Sequence, residues 1–182
     1  MTRNKINLFI AIGMILMAAA SRILNHELGF YNLAPVAAIG LFGGAVLKDR
    51  RLAFLMPLLA LFIADVYIEL FPSNAQQRGF YGAEQAFVYG GMLMTTVLGL
   101  MMKQVSAKNV LGFSLAGSLV FFIISNLGAY TTGMYGFGFS SLVTTYEMAI
   151  PFFRNSLLGD LIGNTALFGS FYLLQQTVAS KM

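Results

Sequence analysis

Six apolar stretches, separated by short polar or turn-rich breaks, make up nearly the whole chain. The first runs from Ile6 to about Leu24, behind Arg3 and Lys5, and the second from Leu33 to Leu47. The third covers Leu52 to Phe71, the fourth Glu84 to Met102, and the fifth Val110 to Tyr130. The last opens at Pro151, stays apolar to Val178 and closes the chain near Lys181. A membrane-spanning helix needs about 20 apolar residues, and all but the second stretch approach that length. The pattern predicts an all-α, six-helix transmembrane bundle, one integral membrane domain over residues 1–182. Whether the short second helix crosses fully is left open.

Punctuation along the chain agrees with this reading. Pro35 stands in the first turn of the second helix, where proline is tolerated, and Gly40 and Gly44 form a GxxxG that favours close helix contact. Pro57 predicts a kink in the third helix. The run from Pro72 to Gly79 is rich in turn formers, and Gly90-Gly91 marks a close-packing or bending point. Thr131 to Ser141 is rich in glycine and aromatic residues and leads to Tyr146 and Glu147. It is expected to be an outer loop, 131–147, folding back over a cavity. Ala18-Ala19-Ala20 could end a cleaved signal peptide. The apolar run continues through Ile23 and Leu24, so it is read as a retained first helix.

Composition sharpens the class. The chain is 58% hydrophobic and 10% charged, with mean hydropathy +0.75; soluble domains carry about a quarter charged residues. It has no cysteine, which excludes disulfides, thiolate metal sites and Cys nucleophiles. His26 is the only histidine, so one chain cannot form a His-cluster metal site. There is no GK[ST] phosphate loop, HExxH or GxSxG, and basic residues are not interleaved with aromatics in the manner of a nucleic-acid surface. No metal, cofactor or nucleic-acid partner is expected.

The charges divide between two sides. With six spans, Arg3, Lys5, Lys48, Arg50, Arg51, Lys103, Lys108 and Lys181 fall on one side and Arg22, Arg78 and Arg154 in the other half. The positive-inside rule makes the first side cytoplasmic. Both termini are then cytoplasmic, and the expected location is a bacterial inner membrane. All acids except Asp49 lie toward the outer half. Ionisable chemistry is concentrated there.

The candidate site residues are Arg22, Asp65, Glu69, Asn126, Arg154, Asn155 and Asp160. Asp65 and Glu69 stand one turn apart on one helix face. A carboxylate at the depth of Asp65 costs about 2.5 to 3.5 kcal/mol on insertion scales unless it is paired, hydrated or protonated. An ion pair with Arg22 or Arg154 and the lining of a site are both open to it. Asp160 and Asn164 are also one turn apart, and Gly159 and Gly163 flatten the adjoining surface for another backbone or a ligand. Asn126 needs an interhelical or ligand partner. Arg154 has the planar fork to grip an anionic or carboxamide group, with Asp160 or Asp65 as its competing partners. The outer aromatics form an interfacial belt or a cover for a flat ligand.

Ser21-Arg22, the run Asn32 to Ala45, Leu52 to Leu58 leading to Asp65, Phe121 to Asn126 and Pro151 to Asp160 together resemble a bacterial family of unknown function whose members are called transport proteins. More distantly, the chain is similar to the S components of energy-coupling-factor vitamin transporters, six-helix proteins that bind a vitamin near the outer face. That second likeness rests on size, helix count and polarity. Two departures stand out. Tyr130 occupies the region where the first family commonly shows a tryptophan, and Ala11 is followed four residues later by Ile15 rather than a second small residue.

The resemblance implies a substrate-binding membrane subunit or solitary transporter for a small, vitamin-like solute, not an enzyme. The candidate residues would contact the solute, and the bilayer would surround the protein. A partner ATPase and membrane module, if used, would dock on the inner half and the small face of the first helix. The alternatives are an intramembrane enzyme acting on a lipid-linked substrate through Asp65, Glu69 and Asp160, and a scaffold subunit without a ligand.

Overall fold

A computed structural model describes residues 3–29, 33–72 and 78–179. Six helices follow one another: α1 (Arg3–Leu28), α2 (Val36–Val46), α3 (Arg50–Leu70), α4 (Ala83–Met101), α5 (Ala107–Thr131) and α6 (Phe139–Ala179). The fold is an all-α bundle. Helices α3, α5 and α6 are long and apolar enough to cross a membrane. Their outward surface fits that reading. Leu111, Leu115, Leu119, Ile123 and Leu127 recur every fourth residue along α5 and are all exposed. Such a contiguous apolar stripe is unfavourable in water and ordinary against lipid.

Local chemistry starts the helices. The Asp49 carboxylate accepts the Arg51 N–H at 2.9 Å and caps α3, and Ser106 caps α5 through the Asn109 N–H at 3.3 Å. Such caps satisfy N–H groups that have no partner within the helix. Between α5 and α6 the backbone turns through Gly138, at φ 109°, a conformation that a side chain would oppose. The Gly138 N–H donates to the Tyr130 hydroxyl at 3.0 Å.

The centre is α2, buried from Val36 to Gly44 and touching all five other helices. Gly40 and Gly44 bring it onto α4. A Cβ on Gly44 would fall 2.1 Å from the Thr96 carbonyl oxygen, and one on Gly99 2.2 Å from that of Leu41. The expected GxxxG contact is therefore a backbone-to-backbone packing of α2 on α4. Gly159 and Gly163 do the same for α6, against Leu33 and Pro35. Phe42 meets Phe168 and Phe171 edge-on at 5.0 and 5.9 Å. Around α2 the ring of helices is incomplete: among the described residues no Cα of α1 comes within 8 Å of one in α6.

One open point is answered and one expectation is corrected. Helix α2 has 11 residues, about 16 Å at 1.5 Å per residue, so the helix alone is shorter than an apolar layer of about 30 Å. The Arg22–Asp65 and Glu27–Tyr67 pairs set α1 and α3 side by side in one direction, and α2 lies on the return between them. It is a buried core helix. The expected 131–147 loop is mostly helix. Only residues 132–138 connect α5 to α6, and α6 runs unbroken from Phe139 through Pro151. Proline removes one donor from a helix interior, and here the surrounding turns carry the helix past it.

Candidate functional site

Asp65 is fully buried and sits between three helices. The Arg22 guanidinium of α1 donates to its Oδ1 at 2.5 Å. From α4, Gln85 Nε2 and the Tyr89 hydroxyl each donate to Oδ2 at 2.8 Å. Gln85 and Tyr89 are four residues apart and so share one face of α4. Tyr81, in the connection before α4, stands beside Arg22 at the cavity wall. Burial raises the pKa of the Tyr81 phenol, the neighbouring Arg22 charge opposes that rise, and Asp65 adds to it.

Glu69 serves a different purpose from the one expected. Its Oε2 accepts the N–H groups of Gly79 at 3.0 Å and Phe80 at 3.2 Å, and Arg78 stands 3.8 Å from Oε1. Gly79 lies so close to α3 that a Cβ would meet the Asp65 carbonyl. The carboxylate thus fastens the α3–α4 connection onto α3.

Asp160 forms a second centre on α6. Its Oδ1 accepts the Ala38 N–H at 3.0 Å and its Oδ2 accepts the Ser118 hydroxyl at 2.8 Å. The N-cap of α2 is Pro35, which makes no side-chain capping bond. Asp160 therefore caps α2 from another helix, with its charge at the positive end of the α2 dipole. One turn further along, Asn164 Nδ2 donates to Ser114 Oγ at 2.7 Å. The pairs 118–160 and 114–164 form two rungs between antiparallel α5 and α6.

Between the two centres lies a cavity of about 560 Å³. Arg22, Asn25 and His26 border it from α1, Tyr81, Glu84 and Val88 from the start of α4 and the connection before it, and Ser118, Phe121, Phe122, Ser125 and Asn126 from α5. Helix α6 contributes Ala149, Phe152, Phe153, Ser156 and Asp160. Asn126 Nδ2 donates within its own helix, to the Phe122 carbonyl at 2.8 Å.

The seven expected residues therefore separate. Arg22, Asn126 and Asp160 line the cavity, Asp65 holds Arg22 from behind, and Glu69 holds the adjoining connection. Arg154 is exposed and Asn155 half-buried, and neither borders the cavity. At 100° per residue, Arg154 points away from the face shared by Ala149, Phe153, Ser156 and Asp160. No residue of 131–147 borders the cavity either, so the expected lid does not cover it. Ala18 and Ala19 are buried within the bundle, so this part of the small α1 face is used internally. Asp65 and Glu69 are linked through Gln85 and Gly79, whereas Asp160 belongs to a separate hydrogen-bond set. Among the described residues no group of three His, Asp or Glu side chains could hold a metal ion.

Residues 2–181 match the family described as a family of unknown function (DUF6580). No curated protein and no solved structure matches.

Proposed function

The chain belongs to this family of unknown function, and from its own residues we propose that it is a membrane protein that binds a small organic solute, either as a substrate-binding subunit or as a solitary transporter. The observation carrying this reading is the cavity of about 560 Å³ lined by charged and amide side chains within an apolar bundle. Small-molecule sites occupy about 300–1,000 Å³ and combine apolar walls with a few placed polar groups. Ionisable groups inside a membrane protein are costly and tend to mark solute pathways. Here Arg22 is held in place by Asp65, and Asp160 by Ala38 and Ser118. Both groups are positioned before any solute arrives.

The basic loop Lys48–Arg51 and the pair Lys103 and Lys108 support an orientation with these loops and both termini in the cytoplasm of a bacterium. The cavity then faces outward, as expected of an uptake protein for a vitamin-sized solute. A partner energising module would meet the opposite end.

Native mass spectrometry of the detergent-purified protein tests the reading. The unaltered chain should retain a small molecule through purification. Ser156→Trp, which fills the cavity from α6, should release it at unchanged folded yield. Retention by the filled variant, or no retained molecule in either, would refute the reading.

A further inference from the structure

The charges around the cavity do not cancel. Arg22 is neutralised by Asp65 at 2.5 Å, and Arg78, two-thirds exposed, stands 3.8 Å from Glu69. Two carboxylates on the cavity wall remain. Asp160 is 1% exposed and receives only neutral donors, Ala38 N–H and Ser118 Oγ. Glu84, in the first turn of α4, has no cation within 4 Å among the described residues. The α2 N-terminus offsets about half a charge at Asp160, which leaves the wall negative. Phe121, Phe122 and Phe153 supply apolar surface beside these acids, with the Phe122 and Phe153 rings 4.6 Å apart.

We propose that the solute is an organic cation: an amine or quaternary ammonium carried on a flat apolar body, its charge facing Glu84 and Asp160 and its body against Phe121, Phe122 and Phe153. This rests on the solute-binding reading above and adds the chemical class. An anionic solute would meet two acids without a cationic partner, with Arg22 engaged by Asp65 and, of the cations on the wall, the two-thirds exposed Arg78 shared with Glu69 at 3.8 Å. A cation gains from the acids and from aromatic faces, which attract positive charge. Burying it also supplies the counter-charge that the wall lacks.

The chain contains no tryptophan, so indole emission excited beyond tyrosine absorption reports an added indole alone. Three probes share that ring: tryptamine (cation), tryptophol (neutral) and indole-3-acetate (anion). Titrated into the purified protein, tryptamine should bind about tenfold or more tighter than indole-3-acetate. Glu84→Gln should cut that preference at least about threefold and should weaken tryptamine more than tryptophol. Asp160→Asn, which keeps an acceptor for Ala38, should act in the same direction. Equal binding of all three, preference for the anion, or a preference that neither variant reduces would overturn the cation assignment and leave solute binding standing. Binding by none of the three would overturn both.

Discussion

Asp65 accepts three side-chain hydrogen bonds, one of them from a guanidinium only one-fifth exposed. Its worth lies in what its loss leaves behind. Removing one partner of a buried ion pair strands the other charge and costs about 3–5 kcal/mol; partial access of Arg22 to water puts the expected loss near the lower figure. Asp65→Asn should therefore lower the thermal unfolding midpoint in detergent well below that of Glu69→Gln, whose cationic partner Arg78 is exposed. Adding Arg22→Met to Asp65→Asn should recover part of the loss. A double variant no better than the single would mean that the pair is not the coupled unit seen here. The pairing was legible in the sequence, because an acid in mid-span has few partners available. Gln85 and Tyr89 were not: an amide and a phenol near a helix start look like ordinary interface residues until α3 is placed beside them. Arg154 was weighted for its chemistry, although the spacing of Ala149, Phe153, Ser156 and Asp160 already placed it on another face.

At the scale of the elements, small residues decide where helices meet. The Gly40/Gly44 motif predicted a close contact, and α4 answers it with Thr95, Thr96 and Gly99. Gly44→Ala and Gly99→Ala each drive a methyl group into a backbone, and overpacking of this kind costs about 1–3 kcal/mol. Gly90→Ala, in the same helix as Gly99, has nothing within 4 Å and should be neutral or stabilising by up to about 1 kcal/mol. Thermal unfolding of the three variants side by side checks the contrast, and equal effects would refute the α2–α4 packing. The Asp160 cap makes a second claim about α2. Asp160→Ala removes a side-chain cap and should cost about 1–2 kcal/mol, whereas Asp160→Asn should cost less; equal loss would argue against capping. The two rungs between α5 and α6 were half-visible in the sequence, as Asp160 with Asn164. Their partners Ser114 and Ser118 are small hydroxyls that helices tolerate anywhere, so only the antiparallel packing singles them out. The start of α6 was misread because Ser140, Ser141, Thr144, Thr145 and Glu147, with Pro151 beyond them, extend the look of a loop past the true helix start at Phe139.

Across the whole molecule, the apolar pattern was enough for an all-helical bundle and too coarse for its depth. The six apolar runs are the six helices, yet burial on every side, as in α2, produces the same uninterrupted pattern as lipid does, so the pattern alone did not show α2 to be an 11-residue core helix on the way back across the bundle. Helix α5 provides a direct test of how the bundle lies. Its 25 residues extend about 37 Å, enough to separate its ends across an apolar layer of about 30 Å. Before it stand Lys103 and Gln104, with Lys108 in its first turn; after it comes the exposed Met134. Since the chain has no cysteine, Gln104→Cys and Met134→Cys each introduce a single thiol. Gln104 uses its backbone carbonyl, not its side chain, to hold Asn109, so neither change should disturb the fold. A membrane-impermeant maleimide applied to intact cells should label Met134→Cys and should reach Gln104→Cys only after permeabilisation. Labelling of both from outside would mean that α5 does not cross. The reverse pattern would turn the cavity mouth, which lies at the Tyr81 and Glu84 end of α4, toward the cytoplasm, and an uptake role would then fail even if solute binding held.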